Sequence, residues 1–117
     1  MLLEVTAKAA QQVRYQAKQN RMEGMPLRIA AKRNPDGTLH YGMGFDDTGR
    51  DDDTSFQSAG IDVVISPMSL DLLNDAVLDY VQMDDGKYEF IFLNPNDPNY
   101  QPPNNPPSNP KAGEDSE

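Results

Sequence analysis

Seven of the ten prolines of this 117-residue chain fall in its last stretch, Asn94 to Glu117. The same stretch holds six asparagines, and Tyr100 is its single large apolar side chain. A segment of that composition buries too little apolar surface to offset the entropy lost on ordering. Residues 94–117 are therefore expected to form a flexible Pro/Asn-rich acidic tail, with Tyr100 as its one possible anchor. The fold must come from residues 1–93, which suffice for one domain and one small core. The chain contains no cysteine, so neither a disulfide nor a thiolate-bound metal can staple that core.

Turn signals cut the remaining residues into short elements. Leu2, Leu3 and Val5 suggest a first strand. Thr6 suits a helix N-cap, where its hydroxyl can accept from a free backbone N–H of the first turn. Ala9, Ala10, Val13 and Ala17 recur at helical spacing on a narrow apolar face, and the helix is expected to run to about Asn20. Lys8, Arg14, Lys18 and Arg21 occupy the rest of its surface. Leu27, Ile29 and Ala31 alternate with Arg28, Ala30 and Lys32 as in a strand. Asn34-Pro35-Asp36-Gly37 then has the residues of a tight turn. Leu39, Tyr41, Met43 and Phe45 follow at period two and predict the return strand. Gly42 and Gly44 lie on its other face, where close packing of the backbone is the expected reason for them.

Phe56 opens another short strand. Gly60 turns the chain into the apolar run Ile61 to Ile65. Ser66-Pro67 starts a short helix, with Ser at the N-cap and Pro at the first helical position. Met68, Leu70, Leu72 and Leu73 belong to it. Val77 to Val81 and Tyr88 to Phe92 make two strands around the turn Asp84-Asp85-Gly86. The expected class is α+β: mainly β, with one long and one short helix.

Charge is divided unevenly. Residues 1–33 hold seven Lys/Arg and two Glu, or +5, and residues 34–117 hold three Lys/Arg and seventeen Asp/Glu, or −14. The overall −9 disfavours nucleic acid, whose binding needs phosphate neutralisation. The cationic helix face reads first as a solvated surface. No segment approaches the roughly 20 apolar residues of a membrane span. The amino terminus lacks the basic and apolar regions of a signal peptide, so a cytoplasmic location is expected.

Few residues offer chemistry. Asp46 to Asp53 is rich in aspartate but lacks the spacing and closing Glu of a calcium loop. The lone His40 could join Asp36 and an aspartate of that loop to bind a single iron, a hard-ligand set. A partly exposed strand histidine is the simpler reading. No nucleophile elbow, Walker motif or Rossmann fingerprint is present, so no enzyme is expected. Two PxxP matches, Pro103 to Pro106 and Pro107 to Pro110, lack the flanking basic residue that SH3 ligands usually carry.

Three segments carry a family likeness: LRI at Leu27 to Ile29, FQSAGIDVVISPMSLDLLNDAVLDYV at Phe56 to Val81, and FIFLNPN at Phe90 to Asn96. With them the chain resembles the A-type iron–sulfur carriers, the HesB-like or Fe–S biosynthesis fold. The resemblance implies one cysteine in the loop after the first of these strands and a CGC-type pair just beyond the NPN. Counted without a gap from Leu27 to Tyr41 and Phe45, the first position is Asp36. The pair falls at Gln101 and Pro103. Clusters are held mainly by thiolates, and one Asp, one Gln and one Pro do not replace three of them.

The resemblance thus implies the scaffold without its cargo chemistry and with no cofactor of its own. It extends to a Cys-free subgroup encoded beside dissimilatory sulfite reductase genes in sulfur-oxidising bacteria, the DsrR-type proteins. That subgroup implies an accessory or regulatory role in sulfur oxidation, exercised by binding a protein partner. The family's oligomers form partly through the cluster-bearing region, so a monomer is expected here. The alternative is a mononuclear iron carrier with oxygen and nitrogen ligands at Asp36 and His40.

Overall fold

The computed structural model describes residues 2–100. In chain order its elements are β1 (Glu4–Val5), α1 (Ala7–Gln19), β2 (Leu27–Arg33), β3 (Leu39–Phe45), β4 (Thr54–Ser58), β5 (Ile61–Ile65), α2 (Pro67–Leu73), β6 (Val77–Gln82) and β7 (Tyr88–Leu93). The expected α+β class, mainly β with one long and one short helix, is what the chain adopts. The strands form two sheets, ordered β1-β6-β7 and β3-β2-β5-β4. Expected positions 84–86 lie within the β6–β7 connection, and Gly86 N–H donates to Met83 O there at 2.9 Å.

The first strand is shorter than its apolar residues suggest. Only Glu4 and Val5 pair with β6, in parallel, through Glu4 N to Ala76 O at 2.9 Å and Thr6 N to Leu78 O at 3.0 Å. Thr6 then ends the pairing because its hydroxyl caps α1, accepting from Ala9 N at 3.1 Å. The same hydroxyl donates to Asp79 Oδ1 at 2.7 Å, tying the cap to β6. The expected helix face, Ala9, Ala10, Val13 and Ala17, is buried. Three of its four members are alanines, so α1 brings little area to the core. A cap worth about 1 kcal/mol then weighs nearly as much as one side chain of that face.

The core is made elsewhere. Leu27, Ile29, Val63, Ile65, Leu73 and Leu78 are each no more than 2% exposed. They come from β2, β5, α2 and β6, and each such burial is worth about 1.5–3 kcal/mol. Half-buried Tyr41, Met43, Phe45, Phe56, Tyr80, Phe90 and Phe92 pack around them.

β2 and β3 pair along their whole length, from Leu27–Phe45 to Arg33–Leu39. The turn between them places Gly37 at φ +90°. Asn34 N donates to Thr38 O at 2.8 Å and Gly37 N to Asn34 O at 2.9 Å. This is a type I turn closed by a left-handed glycine, the usual longer hairpin connection. On its other edge β2 meets β5 only at Leu27 and Arg28. Beyond that point β5 gives way to α2, and Ser69 takes over. The Ser69 hydroxyl accepts from Ala31 N at 3.1 Å and donates to Ala31 O at 3.2 Å.

Met68 and Ser66 take their expected places in and before α2, with two details added by the structure. Met68 is 84% exposed, while Ser69 of the next position is buried at 5%. Ser66 stands at the N-cap of α2 without a side-chain cap hydrogen bond. One local expectation needs correction. A Cβ added at Gly42 or Gly44 would meet no described residue within 4 Å, so close packing among the described residues does not explain these glycines. They lie with Ala30 at exposed positions on one face of the sheet.

Candidate functional site

The β2–β3 hairpin carries Asp36 and His40, and the segment Asn94–Tyr100 runs up to the position before Gln101. Asp36 sits in the hairpin turn, exposed. Its Oδ1 accepts from Thr38 N at 3.0 Å and from Thr38 Oγ1 at 2.6 Å. Those two bonds, the hydroxyl's first, hold the carboxylate below its ordinary pKa. The side chain is thus engaged in forming the turn.

His40 is exposed on β3, directly opposite Lys32 of β2. A lysine at the paired position disfavours a bound cation there by like-charge repulsion. Among the described residues, no three His, Asp or Glu side chains gather as a metal site. Asp36, His40 and a loop aspartate are accordingly not brought together as a set. Gln101 and Pro103 lie outside the described residues.

The acidic loop is more than a solvated turn. Arg28 on β2 reaches both ends of it. Its Nε donates to Asp46 Oδ2 at 2.6 Å, and its two terminal nitrogens form a fork onto Asp53 at 3.1 and 2.6 Å. The Asp53 side chain is 3% exposed. Arg28 is the cause that most strongly holds Asp53 down to about 2, with the Arg50 backbone N–H next. Asp46 is also lowered to about 2, chiefly by the Thr48 hydroxyl and N–H and then by Arg28. Two of the five loop aspartates thus serve an internal ion pair. The bidentate fork is the strong form of such a pair.

Asn94–Tyr100, grouped with the tail on composition, is fastened to the body. Asn94 is 1% exposed. Its Nδ2 donates to Leu72 O at 2.7 Å, and Asn96 Nδ2 donates to Asn74 O at 2.8 Å. Those carbonyls are at the end of α2, where a helix leaves its last C=O groups without partners. Asn94 Oδ1 in turn accepts from Asn96 N at 3.0 Å. The NPN sequence is therefore a C-terminal cap for α2 supplied from a distant part of the chain.

Beyond it, Asp97 Oδ2 accepts from the Tyr41 hydroxyl at 2.8 Å, and Tyr41 stacks on Phe92 with ring centroids 4.4 Å apart. Tyr41 is on the same strand as His40 and five residues from Asp36. This contact brings the beginning of the C-terminal stretch against the hairpin strand. Burial, with the Asp97 bond second, pushes the Tyr41 phenol up to about 12. Periodicity marks Tyr41 only as a strand residue. Asx-type turn chemistry in NPND is the signal that the segment is structured.

This arrangement offers oxygen donors, one exposed imidazole and no sulfur ligand. The donor set does not fit an iron–sulfur cluster, which is held by thiolates with occasional imidazole.

Comparison with known proteins identifies the scaffold. The family model for iron–sulphur cluster biosynthesis matches residues 1–101. A protein of Aquifex aeolicus is 38% identical over 95 residues, 81% of each chain. The iron–sulfur cluster insertion protein ErpA 2 of Methylococcus capsulatus is 31% identical over 94 residues, 80% of this chain and 72% of that one. The crystal structure of IscA with the 2Fe–2S cluster superposes with a TM-score of 0.67 at 25% identity, covering 80% of this chain and 86% of that one. No helix among the described residues is long and apolar enough to cross a membrane. The matched family, the shared fold and the fully cysteine-free sequence lead to one conclusion: this chain belongs to the iron–sulphur cluster biosynthesis family and carries none of the thiolates by which clusters are held.

Proposed function

We propose that this protein is a non-catalytic A-type scaffold that has exchanged cluster handling for protein binding. It acts as an accessory or regulatory factor, in sulfur oxidation, as a DsrR-type member of the family. The observation that carries this reading is the complete absence of cysteine; Asp36, Gln101 and Pro103 stand where the resemblance puts the family's three cysteines. Asp36 has also been drawn into the hairpin turn through Thr38. A preserved scaffold with an erased site is what recognition without chemistry would leave. The client is a protein, with a sulfur- or iron–sulfur-containing enzyme as its class. The protein works in the cytoplasm, as a monomer, with no cofactor of its own.

Anaerobic titration with ferrous iron and sulfide tests the first half of this reading. The expected result is no visible chromophore and no retained iron after desalting; a cluster spectrum would overturn it. Binding to purified dissimilatory sulfite reductase, followed by calorimetry, tests the second half, and absence of heat would remove that client. Mononuclear iron at Asp36 and His40 is the competing reading. It requires stoichiometric iron retained without sulfide and lost in Asp36→Ala, His40→Ala. The lysine opposite His40 and the engaged Asp36 carboxylate count against it.

A further inference from the structure

Helix α1 is charged in a way that its own stability does not explain. From Thr6 to Met22 the chain holds four basic residues, Lys8, Arg14, Lys18 and Arg21, and no Asp or Glu. All four are exposed. Lys8 stands in the first turn, which has no acidic residue, and the positive end of the helix dipole disfavours a cation there. Arg14 and Lys18 are four residues apart, a like-charge spacing that destabilises a helix. Among the described residues, the Lys8, Lys18 and Arg21 side chains meet no carboxylate. Arg14 Nη1 donates to Ala59 O, a neutral acceptor, at 3.1 Å. Alternating signs mark a helix face laced by its own salt bridges in water. This face has one sign.

An apolar anchor point lies among these cations. Tyr15 follows Arg14 directly, precedes Lys18 by one helical turn, and is 57% exposed. Lys8, Gln11, Gln12 and Tyr15 line one side of a groove, and Tyr80 and Tyr88 line the other. Tyr88 is itself 53% exposed. Tyrosine and arginine together at an open surface are the residues that anchor protein interfaces. Charge then selects the occupant. Residues 1–33 carry +5 and residues 34–117 carry −14. An acidic partner surface is therefore repelled by most of this molecule and attracted at α1, which fixes how the two approach. A nucleic acid is charged along its whole length and would run from these few cations onto the acidic remainder. A folded partner can confine its charge to the contact.

We propose that the exposed face of α1, with the groove beside Tyr15, is the docking site for an acidic segment of a client protein that carries a bulky apolar side chain. The apolar side chain enters between Tyr15 and Tyr88, and the carboxylates around it meet Lys8, Arg14 and Lys18. This assigns the face used in the protein-binding reading above and rests on that reading.

A phage-displayed library of random linear peptides, panned on the full chain, is the probe. The selected peptides should be rich in Asp and Glu around an aromatic residue or leucine. In amide spectra they should shift Lys8, Gln11, Gln12, Tyr15 and Lys18 saturably, and Tyr15→Ser should weaken them about tenfold. Lys8→Glu separates binding from folding. Its carboxylate suits the start of a helix, so the thermal midpoint should rise while peptide affinity falls. Selected peptides without acidic excess, or shifts confined to another face, overturn the helix site and leave the protein-binding reading standing. So does a reductase that binds the Lys8→Glu, Tyr15→Ser variant as tightly as the parent chain. If no peptide is selected and the reductase gives no heat, both fall. Tighter binding of an oligouridylate than of the peptides would assign the face to RNA and overturn the proposal. Shifts on α1 that grow with the concentration of the chain alone would overturn it in favour of a second copy.

Discussion

At the scale of single residues, Arg28 holds the acidic loop to the sheet. Its two carboxylate partners are held down to about 2 in the folded chain, against about 3.9 for an ordinary aspartate. A carboxylate depressed by folding contributes stability that is complete above the unfolded pKa and lost as pH falls toward the folded one. Urea midpoints should therefore decline between about pH 4 and pH 2. Arg28→Ala should lower the midpoint at neutral pH and flatten that decline, most of all through Asp53. An acid limb unchanged in Arg28→Ala would show that the fork contributes nothing.

Tyr41 gives the opposite sign at the alkaline end. Burial and Asp97 favour its neutral form, so its contribution is complete below about pH 10 and fades as pH rises toward about 12. Near-ultraviolet absorbance titration should find Tyr41 ionising late, and Asp97→Asn should bring its ionisation down.

Elements here depend on side chains borrowed from other elements. β2 loses β5 as a partner after Arg28 and takes Ser69 of α2 in its place. Ser69→Ala leaves the Ala31 N–H and C=O without that partner in a buried setting, and should cost about 1–3 kcal/mol in urea unfolding. α2 in turn ends on carbonyls that Asn94 and Asn96 satisfy. Asn94→Asp replaces the donor to Leu72 O with an acceptor at the negative end of a helix. It should destabilise by more than Asn94→Ala, and should speed amide exchange from Asn96 to Tyr100. Equal effects of the two changes would mean that the lost packing, not the cap, dominates. These supports explain why the short α2 is preserved in place although Met68 points into solvent.

For the whole molecule, the question is whether the fold still suits the ligand positions that the proposal puts at Asp36, Gln101 and Pro103. The Tyr41–Asp97 bond and the stacked Tyr41–Phe92 pair hold the start of the C-terminal stretch against the hairpin strand. If that is the family's arrangement retained, restoring the soft ligands should restore the chemistry. The triple change Asp36→Cys, Gln101→Cys, Pro103→Cys is expected to develop a visible iron–sulfur absorbance on anaerobic reconstitution. Asp36→Cys alone should not, because one thiolate cannot hold a cluster. A colourless triple variant would show that the scaffold has drifted as well as its ligands.

Much of this protein follows from local chemistry that a reader of the sequence can follow. Alternation at Leu27–Ala31 and Leu39–Phe45 around Asn34-Pro35-Asp36-Gly37 defines a hairpin because period-two burial and a left-handed glycine act over a few neighbouring residues. The Thr6 cap and the alanine face of α1 are legible for the same reason. So is the absence of thiolates, since a residue type is either present in a sequence or not. What only the tertiary structure decided were the pairings between residues far apart in the chain: Arg28 with Asp46 and Asp53, Ser69 with Ala31, Asn94 with Leu72, Tyr41 with Asp97. In each, a polar group buried by the packing of two elements takes its partner from whatever that packing brings near. No periodicity records such a meeting. The same cause makes Asn94–Tyr100 part of the folded body although its composition reads as tail: its hydrogen bonds answer carbonyls left open by a helix more than twenty residues earlier.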